Sequence, residues 1–328
     1  MKNELLTVEE ASARIERGDV ITVAGDEAVL AQLPKGNWVG GTSVYFVTEE
    51  GGAVVRDKVF CTTFEDVSDV SVRTIPTSDL VTISDGYKPN GFTIILIPAF
   101  SDAHTKFAVE GQTYAGVFGQ PLVGWISGVH LEELGTAKPK VFDGKTGEAL
   151  EDGAAVMHVS VPAGNKIGVD IVNIFSQGHD NKTTFTFDSD GFSAKTAKVN
   201  GEVVSLANYL TDNEIDTRLP LIANYGGALI NVSVQAIDLE KDEVSFYAPV
   251  MTGVEYQLAA PLANYPDAFA ERLGAGGAKQ YSCNCILNYL YGELEGQSTG
   301  KFTGPVTFGE IAYILLNQTL VKLQVQPA

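Results

Sequence analysis

Thr93-Ile94-Ile95-Leu96-Ile97-Pro98 is the stretch on which the fold turns. Its apolar run is unbroken, so both faces need cover, and Pro98, which cannot donate to a ladder, closes it. That pattern predicts a strand in the middle of a sheet. Neighbouring segments read as its company. Val44–Thr48, Lys58–Phe64 and Val70–Ile75 have the β-branched and aromatic bias of half-buried strands. Pro121–Ser127 reads as another, and Ala154–Val161 resumes alternation after the Gly144-Lys145-Thr146-Gly147 turn.

Helices flank this core. Thr7 to Gly18 is amphipathic, with Thr7 and Glu10 in a capping-box pattern, Ala11 and Ile15 at helical spacing, and Gly18 as the stop. A second short helix is expected from Asp26 to Leu33, ended by Pro34. The loop Pro162-Ala163-Gly164-Asn165 is a candidate boundary. Beyond it the strand-and-turn style repeats, with Asp188-Ser189-Asp190-Gly191 and Asn200-Gly201 expected as hairpin turns because Asn, Asp and Gly tolerate positive φ. Val244–Pro249 and Val254–Leu258 read as strands and Tyr265–Leu273 as a helix stopped by Gly274. From Gln280 to Val325 the chain is strand-rich with one candidate helix. The expected fold is α+β: two related strand-rich lobes with mixed sheets and flanking helices, residues 1–165 and 166–328.

The bulk composition agrees. A chain of 328 residues exceeds the usual single core, and 45% apolar with 19% charged residues excludes disorder. Asp and Glu number 41 against 22 Lys and Arg, a net charge of −19. Such a surface repels phosphate backbones and anionic lipid, so neither nucleic acid nor membrane is expected as a partner. No apolar signal core follows Lys2, and Ile94–Ile97 and Ile314–Leu316 are too short to span a bilayer. Three cysteines without framework spacing fit a reducing compartment. A cytoplasmic location is the expectation.

Several catalytic signatures fail on inspection. Gly144-Lys145-Thr146 has Pro139 where a phosphate loop needs its first glycine, so it is read as a turn. Gly274-Ala275-Gly276-Gly277-Ala278-Lys279 precedes a strand, whereas a dinucleotide loop must open a helix. A calcium loop built on Asp188-Ser189-Asp190-Gly191 would put Thr186 and Ala197 where carboxylates are required. His104, His130, His158 and His179 are not spaced as metal pairs, and Cys283 with Cys285 lacks a second pair. Gly124-Trp125-Ile126-Ser127-Gly128 places its serine one position late for a nucleophile elbow.

Two clusters remain. Cys283-Asn284-Cys285 in a strand would project both thiols to one face, either as small core hydrophobes or as a reactive pair. Asn37-Trp38 before Gly40-Gly41-Thr42 either brings backbone amides close to a ligand or makes a tight turn into the next strand.

On these residues the chain resembles the FIST (F-box and intracellular signal transduction) family. Tyr281-Ser282-Cys283-Asn284, Thr307-Phe308-Gly309-Glu310-Ile311 and Asn317-Gln318-Thr319 look like its C-terminal signature in order and spacing. Ala24-Gly25-Asp26-Glu27, Leu33 to Thr42 and Tyr45-Phe46 are similar to a stand-alone bacterial FIST-like branch. Cys285-Ile286 stands where the family has Gly-Arg, so an anion-pairing arginine is missing there. The resemblance implies a non-catalytic, small-ligand-binding sensory protein that acts through a separate signalling partner, with its pocket between two lobes. It implies ligand contacts from Asn37, Trp38, Gly40, Gly41, Thr42, Cys283, Glu310 and Asn317, and no obligatory cofactor. Two alternatives stay open: a haem- or metal-dependent gas or redox sensor, since one axial histidine can hold haem, and a hydrolase or transferase using Cys283.

Overall fold

Every residue of the strand Gly91–Pro98 is buried, and it lies between Leu122–Ser127 and Ala154–Ser160 inside a six-stranded sheet, as its unbroken apolar run requires. The computed structural model describes residues 1–178, 183–225, 227–273, 280–297 and 302–327. The protein is mixed α+β, with several sheets and a few helices. Among the described residues no helix is long and apolar enough to cross a membrane.

The chain packs into two compact units. The first comprises Met1–Val172, Leu273–Leu315 and Leu320–Ala328; the second comprises Asn173–Arg272 with Leu316–Thr319. A single cut near residue 165 therefore does not describe the division. The Pro162–Asn165 loop leads into Asn165–Val172, a strand that stays in the first unit by pairing along its whole length with Leu320–Pro327. The C-terminal strands are claimed by N-terminal ladders: Gly304–Thr307 pairs with Tyr45–Thr48, and Glu310–Ala312 with Leu122–Ser127.

Three six-stranded sheets make up the first unit. Each contains one parallel pair: Val20–Gly25 with Trp38–Thr42, Gly91–Pro98 with Leu122–Ser127, and Tyr281–Cys285 with Gly304–Thr307. Parallel neighbours need a crossover, and each crossover carries a helix: Glu27–Leu30, Asp102–Glu110 and Ile286–Tyr291. After its parallel pair the chain hands a later strand to another sheet. Tyr45–Thr48 leaves the first sheet for the third, Glu310–Ala312 leaves the third for the second, and Val141–Asp143 joins the first after the second. This cyclic exchange ties the three sheets together.

Local chemistry explains the elements. In the helix Val8–Glu16 the Glu10 amide donates to Thr7 Oγ1 (3.3 Å) and the Thr7 amide to the Glu10 carboxylate (2.9 Å), the expected capping box, while Ala11 and Ile15 face the core. The second helix is one turn, Glu27–Leu30, capped by Asp26 through the Ala28 amide, shorter than expected because the chain turns off before Pro34. Asp143 Oδ1 accepts from the Lys145 and Thr146 amides at 2.7 and 3.0 Å, which confirms an Asx turn in place of a phosphate cradle.

The second unit holds a six-stranded sheet and a three-stranded sheet around Phe185, Phe187, Leu206, Leu210, Val244, Phe246 and Tyr256. Asn200-Gly201 forms the expected hairpin turn, with φ of 51° and 89°. Asp188–Gly191 does not. It links Thr184–Thr186 to Gly191–Ala194 in a different sheet, and Asp190 Oδ1 there accepts from the Thr252 amide and hydroxyl. His179 and the Gly274–Lys279 segment lie outside the described residues.

Candidate functional site

The three parallel pairs of the first unit end next to one another. The Gly128 amide donates to the Thr42 carbonyl (2.8 Å), Ser43 Oγ to the Val306 carbonyl (2.6 Å) and the Phe308 amide to the Ile126 carbonyl (3.0 Å). Carboxyl ends of parallel strands are where open α/β sheets place ligands. Here three such ends meet.

Beneath this junction lies a cluster of buried polar side chains. Trp125 and Ser127 alternate onto one face of the strand Leu122–Ser127, and Glu310 sits directly across from Trp125 in the adjoining ladder, hence on that same face. Trp125 stacks on Tyr281 with ring centroids 6.1 Å apart. Cys283 Sγ donates to the Gly124 carbonyl at 3.3 Å and feels the charge of Glu310. Across from the second sheet stands Gly41, where an added Cβ would fall 2.9 Å from Trp125 Nε1 and 3.2 Å from Ser127 Cβ. Ser127, Tyr281, Cys283 and Glu310 are wholly buried and Trp125 nearly so.

The hydrogen-bond account of this cluster does not close. Trp125 Nε1 and Ser127 Oγ are buried donors with no acceptor among the described residues. A donor left unpaired in a low-dielectric interior costs about 1–3 kcal/mol, so two of them on one strand face are expensive. Cys283 is the opposite case. Burial first, then the Glu310 charge, push its thiol well above the ordinary range, so it stays protonated at neutral pH. Burial likewise lifts Cys61 to about 12.

The expected site residues therefore separate. Gly41, Cys283 and Glu310 come together. Trp38 and Gly40 alternate to the other face of their strand: the Trp38 indole donates to the Pro34 carbonyl (2.8 Å) and stacks on Phe142, and an added Gly40 Cβ would meet the Trp38 ring. Thr42 exchanges hydrogen bonds with the Lys140 backbone. Asn37 lines an open groove of about 750 Å³ with Arg14, Asp19, Thr63, Glu65 and Asp69. Asn317 belongs to the second unit, where its Oδ1 accepts from the Ser233 amide and hydroxyl and its Nδ2 donates to the Asn231 carbonyl (2.8 Å). Its amide is spent on holding that unit together.

Trp125, Ser127 and Tyr281 were not among the expected site residues, although Ser127 was weighed as a nucleophile and Tyr281 stands in the C-terminal signature. The signal for the first two was present: residues two apart in a strand share a face, so Gly124-Trp125-Ile126-Ser127 already put an indole and a hydroxyl together. Of the histidines, His104 and His158 are buried in the first unit. His158 Nδ1 meets Thr93 Oγ1 at 2.8 Å and Gly86 backs onto its ring. Burial holds both His158 and His104 down at about 4. Among the described residues no group of three His, Cys, Asp or Glu side chains is placed to hold a metal ion.

Fold and site define an α+β protein with a closed polar interior at the meeting point of three strand–helix–strand crossovers. The chain belongs to a family of unknown function, DUF6976, whose model matches residues 6–326. No curated protein matches it.

Proposed function

We propose that this protein binds a small polar ligand at the interior cluster and acts as a non-catalytic sensor, reporting occupancy to a separate partner in the cytoplasm. The observation that carries the reading is the pair of buried, unpaired donors, Trp125 Nε1 and Ser127 Oγ, beside the Glu310 carboxyl and opposite the side-chain-free Gly41. A ligand that offers acceptors to the indole and hydroxyl recovers the cost of desolvating these two donors. The resemblance to FIST proteins, in which Cys283 and Glu310 would contact ligand, supports the same reading. The raised thiol of Cys283 argues against a nucleophilic role, because the thiolate is the reactive form.

The test is a thermal-shift screen of polar metabolites on the full chain. Binding to the folded state alone raises the melting point with ligand concentration. A hit should lose its effect in Ser127→Ala and Glu310→Gln. A ligand whose stabilisation is unchanged in both variants would remove the interior cluster from recognition.

A further inference from the structure

The helix Val8–Glu16 ends beside the open groove of about 750 Å³, which the interior site does not use. Arg14, Gly18 and Asp19 line one side of it, and the link from Thr63 to Asp69 lines the other. All of these residues belong to the first unit. Thr63 stands directly across from Ile21 in the first sheet, so the two side chains share a face. Ile21 packs with Ala11 and Ile15 under the helix. Thr63 therefore points to the helix side as well, where that apolar core gives way to the groove.

The hydroxyl at this place has nothing to bond. Thr63 is 7% exposed and lines the groove, yet its Oγ1 has no hydrogen-bond partner among the described residues. Carboxylates dominate the rim. Asp19, Glu65, Asp66 and Asp69 line the groove against one cation, Arg14, which is turned to Glu4. Three of these carboxylates have ion-pair partners: Asp19 meets Arg17 at 3.0 Å, Glu65 the Met1 amino group at 2.7 Å and Asp69 the Lys88 ammonium at 2.7 Å. Each pair has one side chain more than half exposed, so solvent and salt weaken it and an incoming ammonium can replace its cation. Asp66 has no ion pair among the described residues. The negative end of the helix macrodipole adds to the same sign of potential. Among the described residues, no three of these carboxylates are placed to hold a metal ion. The negative charge is spread along the groove and not gathered at a point.

From this arrangement we infer that the groove binds a linear aliphatic polyamine, with ammonium groups on Asp66, Asp19 and Asp69 and one N–H donated to Thr63 Oγ1. Ammonium groups separated by methylene spacers match carboxylates that stand apart, whereas a divalent metal ion requires its oxygens to converge. Val67 and Val70, both partly buried in the lining, offer apolar surface to the spacers. A volume of about 750 Å³ lies in the range of small-molecule pockets. The site is separate from the interior cluster, and its failure would leave the sensor reading untouched.

Calorimetric titration of the full chain with putrescine, spermidine and spermine in low-salt buffer tests this. The expected result is saturable binding of spermidine at one site per chain. Asp66→Asn and Thr63→Val should each weaken it about threefold or more. Glu202→Gln, an exposed position in the second unit, should leave it unchanged. Asparagine suits the left-handed φ of 56° at position 66, and valine keeps the shape of threonine, so both variants should fold, which an unchanged far-ultraviolet spectrum verifies. Absence of saturable heat with all three amines, binding unchanged by Asp66→Asn or by Thr63→Val, or equal weakening by Glu202→Gln would overturn the proposal. Tighter binding of magnesium alone, or of amidated trilysine, would also overturn it, by assigning the groove to a point cation or to a basic protein segment.

Discussion

Replacing Ser127 by alanine should make the ligand-free protein more stable, not less. The Ser127 hydroxyl is wholly buried, and its oxygen has no hydrogen-bond partner among the described residues. Removing a buried hydroxyl normally costs the hydrogen bond it made. Here the variant instead sheds the desolvation penalty of an unpaired group, about 1–3 kcal/mol. Against this stands the loss of one small atom from a packed site, worth less than about 1 kcal/mol. The balance is a gain of about 1 kcal/mol, or a rise of about 2–4 °C in melting temperature for a unit of this size. Thermal unfolding followed by circular dichroism, with urea titration as a second measure, reads the effect. A functional residue that costs stability should show opposite signs: a more stable protein and a lost ligand response. A melting temperature lowered by several degrees would mean that the hydroxyl is bonded in the folded protein, and the reasoning from an unpaired donor would fail.

The other expectations concern groups whose roles are structural. His104 and His158 are both held at about 4 by burial, below the unfolded value of about 6.5. The unfolded chain therefore binds more protons between these values, and stability falls as pH drops from about 6.5 towards 4, by up to about 3 kcal/mol per histidine. Urea midpoints across this range should show that fall, and His158→Gln should flatten it; an unchanged slope would refute neutral burial of His158. Asn317→Ala strips partners from the Ser233 amide and the Asn231 carbonyl and should destabilise the second unit by about 2–4 kcal/mol, seen as lost amide-exchange protection there; little change would restore Asn317 as a ligand-contact candidate. All three cysteines are buried, so a thiol reagent near neutral pH should label none of them until denaturant is added. Rapid labelling of native Cys283 would revive the nucleophile reading.

Local rules carried the sequence a long way. An unbroken apolar run closed by proline announced a central strand, because only a strand covered on both faces tolerates Thr93–Ile97. The Thr7–Glu10 capping box and the Asn200-Gly201 turn were equally legible, since each is satisfied within a few residues. The pairing of Cys283 with Glu310 at one place came from a resemblance and not from periodicity. What stayed hidden is whatever depends on residues far apart in the chain. The division into units was missed because Asn165–Val172 finds its partner at Leu320–Pro327, a pairing no local pattern encodes. Asp188–Gly191 has hairpin chemistry, yet its flanking strands go to different sheets. Trp38 and Gly41 look like one cluster in sequence, but the two-residue alternation of a strand sends them to opposite faces, and only Gly41 faces Trp125. Sequence determined those elements whose signals are complete within a few residues, such as the central strand, the capped first helix and the Asn200-Gly201 turn, because backbone preference and side-chain pattern are local. The tertiary structure alone decided which buried polar groups meet and which are left unpaired, because that depends on how three sheets bring distant strands face to face.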